Sequence, residues 1–365
     1  MKSEITYFKI NKFGFYNKKS LTEVPLFGGY EHFIQLFSNW LKKQENLGST
    51  STKGPDNSGN NIYCSDFYHD ESSGNFVITL WNEMSNVENK VLSLSRSQSI
   101  GNSTVKEDGD ENSIIGLPSY FYFIPKKDLM LHVGLPQSSD NLRSIKQYIS
   151  SYFKNLSKYK QTNSDGDTYY SDSEGEDKKC QFRLVWSKYT NQAEKKSLID
   201  KAENISKIIQ KVHITKYETD DRHLVRKGWE KLNNAFNELI PNFMSDDDDS
   251  KLFKDAINEA SNRDFTISSP FKCDSHLIKK IINQYDQENE NGSNNLIGFR
   301  TKGSSKTIWL SDSIIKTKID LDIKSIDKKL PTATVVFIAI SEKQEEILLP
   351  VYNEDEDTMK NAVNQ

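Results

Sequence analysis

The chain has 365 residues, 35% of them hydrophobic, with 19 Phe, 16 Tyr and 5 Trp, which is material for two folded domains and excludes a disordered chain. Its net charge of −4 excludes an overall basic field, so any hold on nucleic acid or anionic lipid must come from a local patch. No apolar run approaches the roughly 20 residues of a membrane helix. The start, MKSEITYFKI, has no signal-peptide apolar region, and Cys64, Cys180 and Cys273 give no disulfide framework, so the expectation is a cytoplasmic protein without membrane insertion.

In chain order, Thr6 to Phe15 alternates as a strand does. Gly28 and Gly29 break it. Phe33, Ile34, Phe37, Trp40 and Leu41 then mark one face of a helix over 30–43. A Ser/Gly/Asn loop over 48–61 precedes three short strands at 62–66, 76–81 and 90–94, and a polar, acidic loop covers 102–112. Tyr120–Ile124 and Leu129–Val133, separated by Pro125-Lys126-Lys127-Asp128, read as a hairpin. Ser138, Ser139 and Asp140 offer caps for a helix carrying Leu142, Ile145, Ile149 and Phe153, which would cover that hairpin.

The stretch Gln161 to Asp177 holds six acidic residues and no basic one. Counted from Asp165 as a calcium loop, it places Tyr170 where glycine belongs, so a solvated acidic linker is expected. Beyond it, the pattern predicts a strand over 180–186, a helix over 192–210, a strand over 212–217, and a strong amphipathic helix over 224–243. Four aspartates at 246–249 end that helix. Short helices over 252–260 and 276–285, with a strand over 265–267 between them, precede a hairpin of 296–301 and 307–311. The β-branched run 332–340 reads as a central strand, 347–351 as its partner or as core, and 353–365 as a polar tail. The organisation expected is α+β in two domains, 1–160 and 180–352, each an antiparallel or mixed sheet with packed helices, joined by an acidic linker at 161–179.

Enzyme motifs with phosphate loops, nucleophile elbows or paired metal histidines are absent from the sequence, and no cofactor is expected. Cys64-x4-His69 has no second pair to complete a zinc site. A weak nuclease-like trace is Asp312, Asp320 and Asp322 with Lys324, which would hold Mg²⁺ at a phosphodiester. The plainer reading is a strand with Ile319, Leu321 and Ile323 inward and the charges outward. Basic clusters are the better candidates. Seven Arg stand against 41 Lys, so Arg222 and Arg226 beside Lys227 are conspicuous. Lys279 and Lys280 form a second cluster. Arg300, Lys302 and Lys306 flank the Gly303-Ser304-Ser305 tip of the last hairpin, and lysines continue through 316–329. Such a tip offers charge, hydroxyls and backbone N–H groups to phosphates, and nothing that reads bases.

Several stretches carry a resemblance. GNFVITLWNE with NKVLSLSRS, the hairpin and capped helix of 114–149, FTISSPFKCDSHLIKKII, and NLIGFRTKGSSKTIWLSDSIIKTKIDLDI resemble, in the same order, segments of the RexA-like phage exclusion proteins. They cover about half of the chain. The resemblance implies a two-domain homodimer, remotely similar to RdgC-like DNA-binding proteins, that binds DNA without sequence preference. It also implies a role in exclusion of infecting phage with a small inner-membrane effector partner. It carries over no catalytic residue. The acidic stretches around 165–177 and 246–249 depart from that pattern. A metal-dependent nuclease and an adaptor that binds no nucleic acid are the alternatives.

Overall fold

The structure, a computed structural model, describes residues 1–18, 24–53, 60–84, 92–102, 104–107, 110–139, 141–172, 180–214, 263–290 and 296–363. The fold is α+β with antiparallel sheets, and the residues form two compact units, 1–189 with 315–365 and 190–314.

The first unit is built on β1 (Lys2–Asn17). One edge of β1 pairs with β6 (Leu129–Gly134). The other pairs with β14 (Lys316–Asp320) along Lys2–Thr6 and with β9 (Cys180–Lys188) along Phe8–Asn17. Beyond β6 the sheet continues through β5 (Ser113–Ile124), β3 (Phe76–Glu83) and β2 (Ile62–His69), with β4 (Leu92–Ser95) on β5. The sequence hairpin of 120–133 is therefore β5 and β6, closed by a 3-10 turn that ends on Asp128 in the left-handed region at φ 49°.

These strands are apolar at nearly every position because both faces are covered. Ile5, Tyr7, Tyr120, Tyr122, Leu129, Leu131 and Val133 enter one core, while Phe8, Phe121, Phe123 and Met130 enter the other. A bulge against β9 between Ile10 and Lys12 adds one residue to the alternation, which keeps Phe13 and Phe15 on the face of Phe8. That face is covered by α1 (Tyr30–Leu41) and α2 (Leu142–Asn155) through Phe33, Phe37, Ile145, Tyr148 and Phe153. Each fully buried large side chain contributes about 1.5–3 kcal/mol, so this aromatic layer is a principal source of cohesion. The opposite face is covered by α5 (Ala333–Glu342) and α6 (Gln344–Val363).

The run 332–340, expected as a strand, is thus helix α5. Its β-branched residues suggested extension, but Ala333, Val336 and Ile340 recur at helical spacing and are buried, while Val335 and Ile338 point to solvent. Thr332 caps it, accepting from the Val335 N–H at 3.3 Å. The segment 347–351, expected as a strand partner or as core, and the polar tail expected at 353–365 are one helix, α6, described through Val363 and running through Pro350; Ile347, Leu348 and Val351 do close the core. Part of the expected linker is also ordered. Lys160–Thr162 and Thr168–Tyr170 form the hairpin β7–β8, and Tyr170 packs on Phe15 with ring centroids 5.1 Å apart; residues 173–179 lie outside the described residues.

Residues 190–314 are an insertion within one edge of the first sheet, so the units divide elsewhere than at the expected 160 and 180. β9 reaches Lys188 opposite Phe8, and β14 resumes with Lys316 opposite Thr6. Between them Tyr189 donates to the Tyr7 carbonyl at 3.0 Å, and Ile315 donates to the Tyr189 carbonyl at 2.9 Å. The inserted unit closes its own ends, with Thr190 bridged to Ile314 and the Asn191 N–H on the Ser313 carbonyl at 2.7 Å.

The inserted unit is a four-stranded sheet in the order β11 (Arg263–Pro270), β10 (Ile205–Ile214), β12 (Leu296–Thr301), β13 (Thr307–Trp309). Helices α3 (Gln192–Asp200) and α4 (Ser275–Glu290) supply Leu198, Ile278, Ile281 and Tyr285 to a core with Ile208, Ile297 and Phe299. The helix expected over 192–210 therefore stops at Asp200. Residues 205–214, ISKIIQKVHI, have few helix-favouring partners at i+4 and instead pair on both edges, with β11 and β12. The helices expected over 224–243 and 252–260 lie outside the described residues.

One half-buried carboxylate ties α5 to the first sheet. Asp66 in β2 accepts from the Ala333 N–H through Oδ2 at 2.7 Å and from its neighbour Phe67 through Oδ1 at 2.8 Å. Burial raises its carboxyl above the ordinary value, and the two N–H bonds pull it back. Because both oxygens accept, Asp66→Asn sets an amide NH₂ against an N–H donor. Urea denaturation at neutral pH should show Asp66→Asn less stable than the parent chain by about 1–3 kcal/mol, with Asp66→Ala no better.

Candidate nucleic-acid interface

The inserted sheet presents two chemically opposite faces, fixed by strand alternation. Ile208, Ile297 and Phe299 face the helices. The register places Lys207 beside Arg300 and Pro270, Ile209 beside Gly298 and Ser268, and Lys211 beside Leu296 and Thr266 on the other face; β13 adds Thr307 beside Arg300 and Trp309 beside Gly298. Lys207, Lys211, Thr266, Ser268 and Pro270 are exposed.

Gly298 shapes this face. A Cβ there would lie 2.7 Å from Cε3 of Trp309 and 2.7 Å from Cγ2 of Thr307, so only glycine lets the indole lie across the neighbouring strand. The Lys211 ammonium sits 5.2 Å from the Trp309 ring centroid, a cation–π contact worth about 0.5–1 kcal/mol at an exposed site. Arg300 donates from Nη2 to Thr307 Oγ1 at 3.1 Å, which orients the guanidinium, and its buried Nε meets no acceptor among the described residues.

The hairpin tip forms where it was expected, with Gly303 at φ 74°. Its backbone is less available than the sequence suggested. The Lys302 N–H is taken by the Asn204 carbonyl at 2.8 Å, that of Ser304 by Thr301 at 3.2 Å, and that of Lys306 by Ser304 Oγ at 3.1 Å. What the tip offers is side-chain charge: Lys306 is exposed, and Lys302 reaches the Glu203 carbonyl at 3.2 Å while remaining exposed.

Of the basic residues picked from sequence, Arg300, Lys302 and Lys306 share this hairpin. Lys279 and Lys280 are exposed on α4, whose Ile278, Ile281 and Ile282 pack on the opposite, apolar face of the sheet. Arg222, Arg226 and Lys227 lie outside the described residues. Lys207, Lys211 and Trp309 were missed: 192–210 was read as helix, which hid the strand that carries the two lysines, and Trp309 was placed in the last hairpin without a partner. The available signal was the alternation Lys207-x-Ile209-x-Lys211, which sends both lysines to one side of a strand.

The nuclease-like trace takes other roles. Asp312 Oδ2 accepts from the Trp309 N–H at 3.3 Å in a 3-10 turn, and Asp320 pairs with the Met1 ammonium at 2.8 Å. In 319–324, Ile319, Leu321 and Ile323 are buried and the charges exposed. Among the described residues no three His, Cys, Asp or Glu side chains cluster to hold a metal. Burial lifts the Cys64 thiol well above its ordinary value and that of Cys273 to about 11, so neither is an activated nucleophile.

Compared with known proteins, the chain matches no family model, no curated protein and no solved structure at a significant level.

Gly298→Ala should push the indole off the sheet. Near-UV circular dichroism of the variant should change in the tryptophan region, with stability lowered by about 1–3 kcal/mol.

Proposed function

We propose that this protein binds nucleic acid through its phosphates, without reading sequence, and acts as a sensor in a phage exclusion or abortive-infection system. The observation that supports the binding reading is the concentration of Lys207, Lys211 and Arg300 on one face of the inserted sheet, continuous in sequence with Lys302 and Lys306 at its hairpin tip. On a chain of net charge −4, a polyanion needs a local cationic surface, and this face supplies one. Lysine ammonium groups and hydroxyls position a backbone; they do not distinguish bases.

The exclusion role rests on the resemblance to RexA-like proteins alone. So do the homodimer and the small inner-membrane effector that the sensor would trigger. Among the described residues no helix is long and apolar enough to cross a membrane.

Arg300→Glu with Lys302→Glu should weaken binding to unrelated duplexes alike. Each lost phosphate contact removes roughly 0.9 from the slope of log K against log salt, so the double variant should lose up to about 1.8. Fluorescence anisotropy at several salt concentrations with EDTA present measures both. If the parent chain gives no salt-sensitive binding at micromolar concentrations, the reading gives way to that of an adaptor.

A further inference from the structure

We propose that the face of the inserted sheet turned away from α3 and α4 is a single-strand binding platform, on which an unpaired base stacks on Trp309 while Lys207, Lys211 and Arg300 hold the flanking phosphates. The inference rests on the phosphate-binding reading above and names its substrate class as unpaired nucleic acid.

Three observations carry it. First, the aromatic group lies within the cationic patch. Trp309 is in the row of Ile209 and Gly298, Lys207 with Arg300 is in the next row on one side, and Lys211 is in the next row on the other. Rows on one face of a strand are roughly 7 Å apart, so charge flanks the ring on both sides within reach of a lysine side chain. Second, the indole occupies the space that the absent Cβ of Gly298 leaves, and one ring face is reached by the Lys211 ammonium. A reachable π-face is what an unpaired base needs for stacking, and the bases of a duplex, already stacked, do not use it. Third, the patch has exposed polar groups beside the charges: Lys207 and Lys211 are exposed, as are the Thr266 and Ser268 positions on β11 in the same rows.

The contact that now occupies the ring supports the same conclusion. The Lys211 ammonium lies over Trp309 in an exposed cation–π interaction, which is weaker than base–aromatic stacking. A base arriving on the ring displaces the ammonium, and the freed charge is then beside the phosphate that follows the base. No base-edge reader is required, so the platform accepts any sequence. Four-stranded antiparallel sheets with helices on one side and aromatics on the other are a known solution for unpaired RNA, and the physics does not depend on the sugar.

The test uses the full chain, with fluorescently labelled oligo(dT), oligo(U) and a mixed-sequence duplex as probes, titrated by anisotropy. The parent chain should bind both single strands more tightly than duplex of equal length. Trp309→Ala should weaken single-strand binding about 5- to 150-fold with the salt slope unchanged, while Trp309→Phe retains most of it and duplex binding changes little. Lys207→Glu with Lys211→Glu should weaken all probes and flatten the salt slope. Near-UV circular dichroism and urea melts of Trp309→Ala exclude simple unfolding. Equal losses for single strand and duplex in Trp309→Ala, or no loss, overturn the platform and leave the phosphate reading standing. Absence of binding to every probe overturns both. Tighter binding of oligo(U) than oligo(dT) supports the platform and assigns RNA, and the reverse supports it and assigns DNA.

Discussion

The first unit depends on the saturation of one strand. β1 is hydrogen-bonded along both edges, to β6 on one side and to β14 and then β9 on the other, and it carries buried side chains on both faces. An exposed strand edge is an invitation to foreign pairing, and here the N-terminal strand is taken on both edges through its middle, with β6 along Glu4–Lys9 and with β14 and β9 on the other side. The two helical layers are consequences. A sheet with Phe8 on one side and Tyr7 on the other must be covered twice, by α1 with α2 and by α5 with α6. Tyr7 shows how far this reaches in sequence, since its hydroxyl donates to the Ile347 carbonyl at 2.7 Å and accepts from the Thr317 hydroxyl at 2.6 Å.

The inserted unit solves the opposite problem. Among the described residues its sheet has helices on one face, so the alternation along β10 and β12 separates Ile208 and Phe299 from Lys207, Lys211 and Arg300. A one-sided sheet can give its second face to a ligand at no cost to the core. That is why the cations and Trp309 belong on the small unit and not on the large sheet, whose second face is filled by α5 and α6. The glycine at 298 matters for the same reason: it occupies a position where any side chain would compete with the surface the strand displays.

Much of the fold was legible because local signals agreed with it. The hairpin of 120–133, α1, α2 and the basic hairpin tip each carry their pattern within twenty or so residues, in turn chemistry or periodicity; for α2 it is periodicity alone, since its N-cap is Asn141 without a side-chain cap bond and not the expected Ser138, Ser139 or Asp140. Helix α5 was not, because Val335, Val336 and Ile338 favour extension in isolation, and the buried face of Ala333, Val336 and Ile340 wins only once a sheet is present to receive it. The insertion was invisible for a deeper reason. β9 and β14 are collinear against β1, yet each reads as an ordinary strand, and nothing in either marks the other as its continuation. The candidate site was half legible: charge at the tip is visible in composition, whereas the partnership of Lys211 with Trp309 exists only in the sheet register.

The collinear pair β9 and β14 also sets a timetable. During synthesis β1 and β6 can pair early, and β9 can follow when residue 188 is available. The edge of β1 at Lys2–Thr6 then waits until residue 316 has been made. At about 5–20 residues per second, that delay is on the order of ten seconds, during which a nascent chain holds an incomplete sheet edge. The inserted unit shortens the search that follows. Because it brings Thr190 against Ile314 on its own account, its folding delivers β14 to the end of β9, and the last strand closes a gap of two residues instead of a loop of more than a hundred.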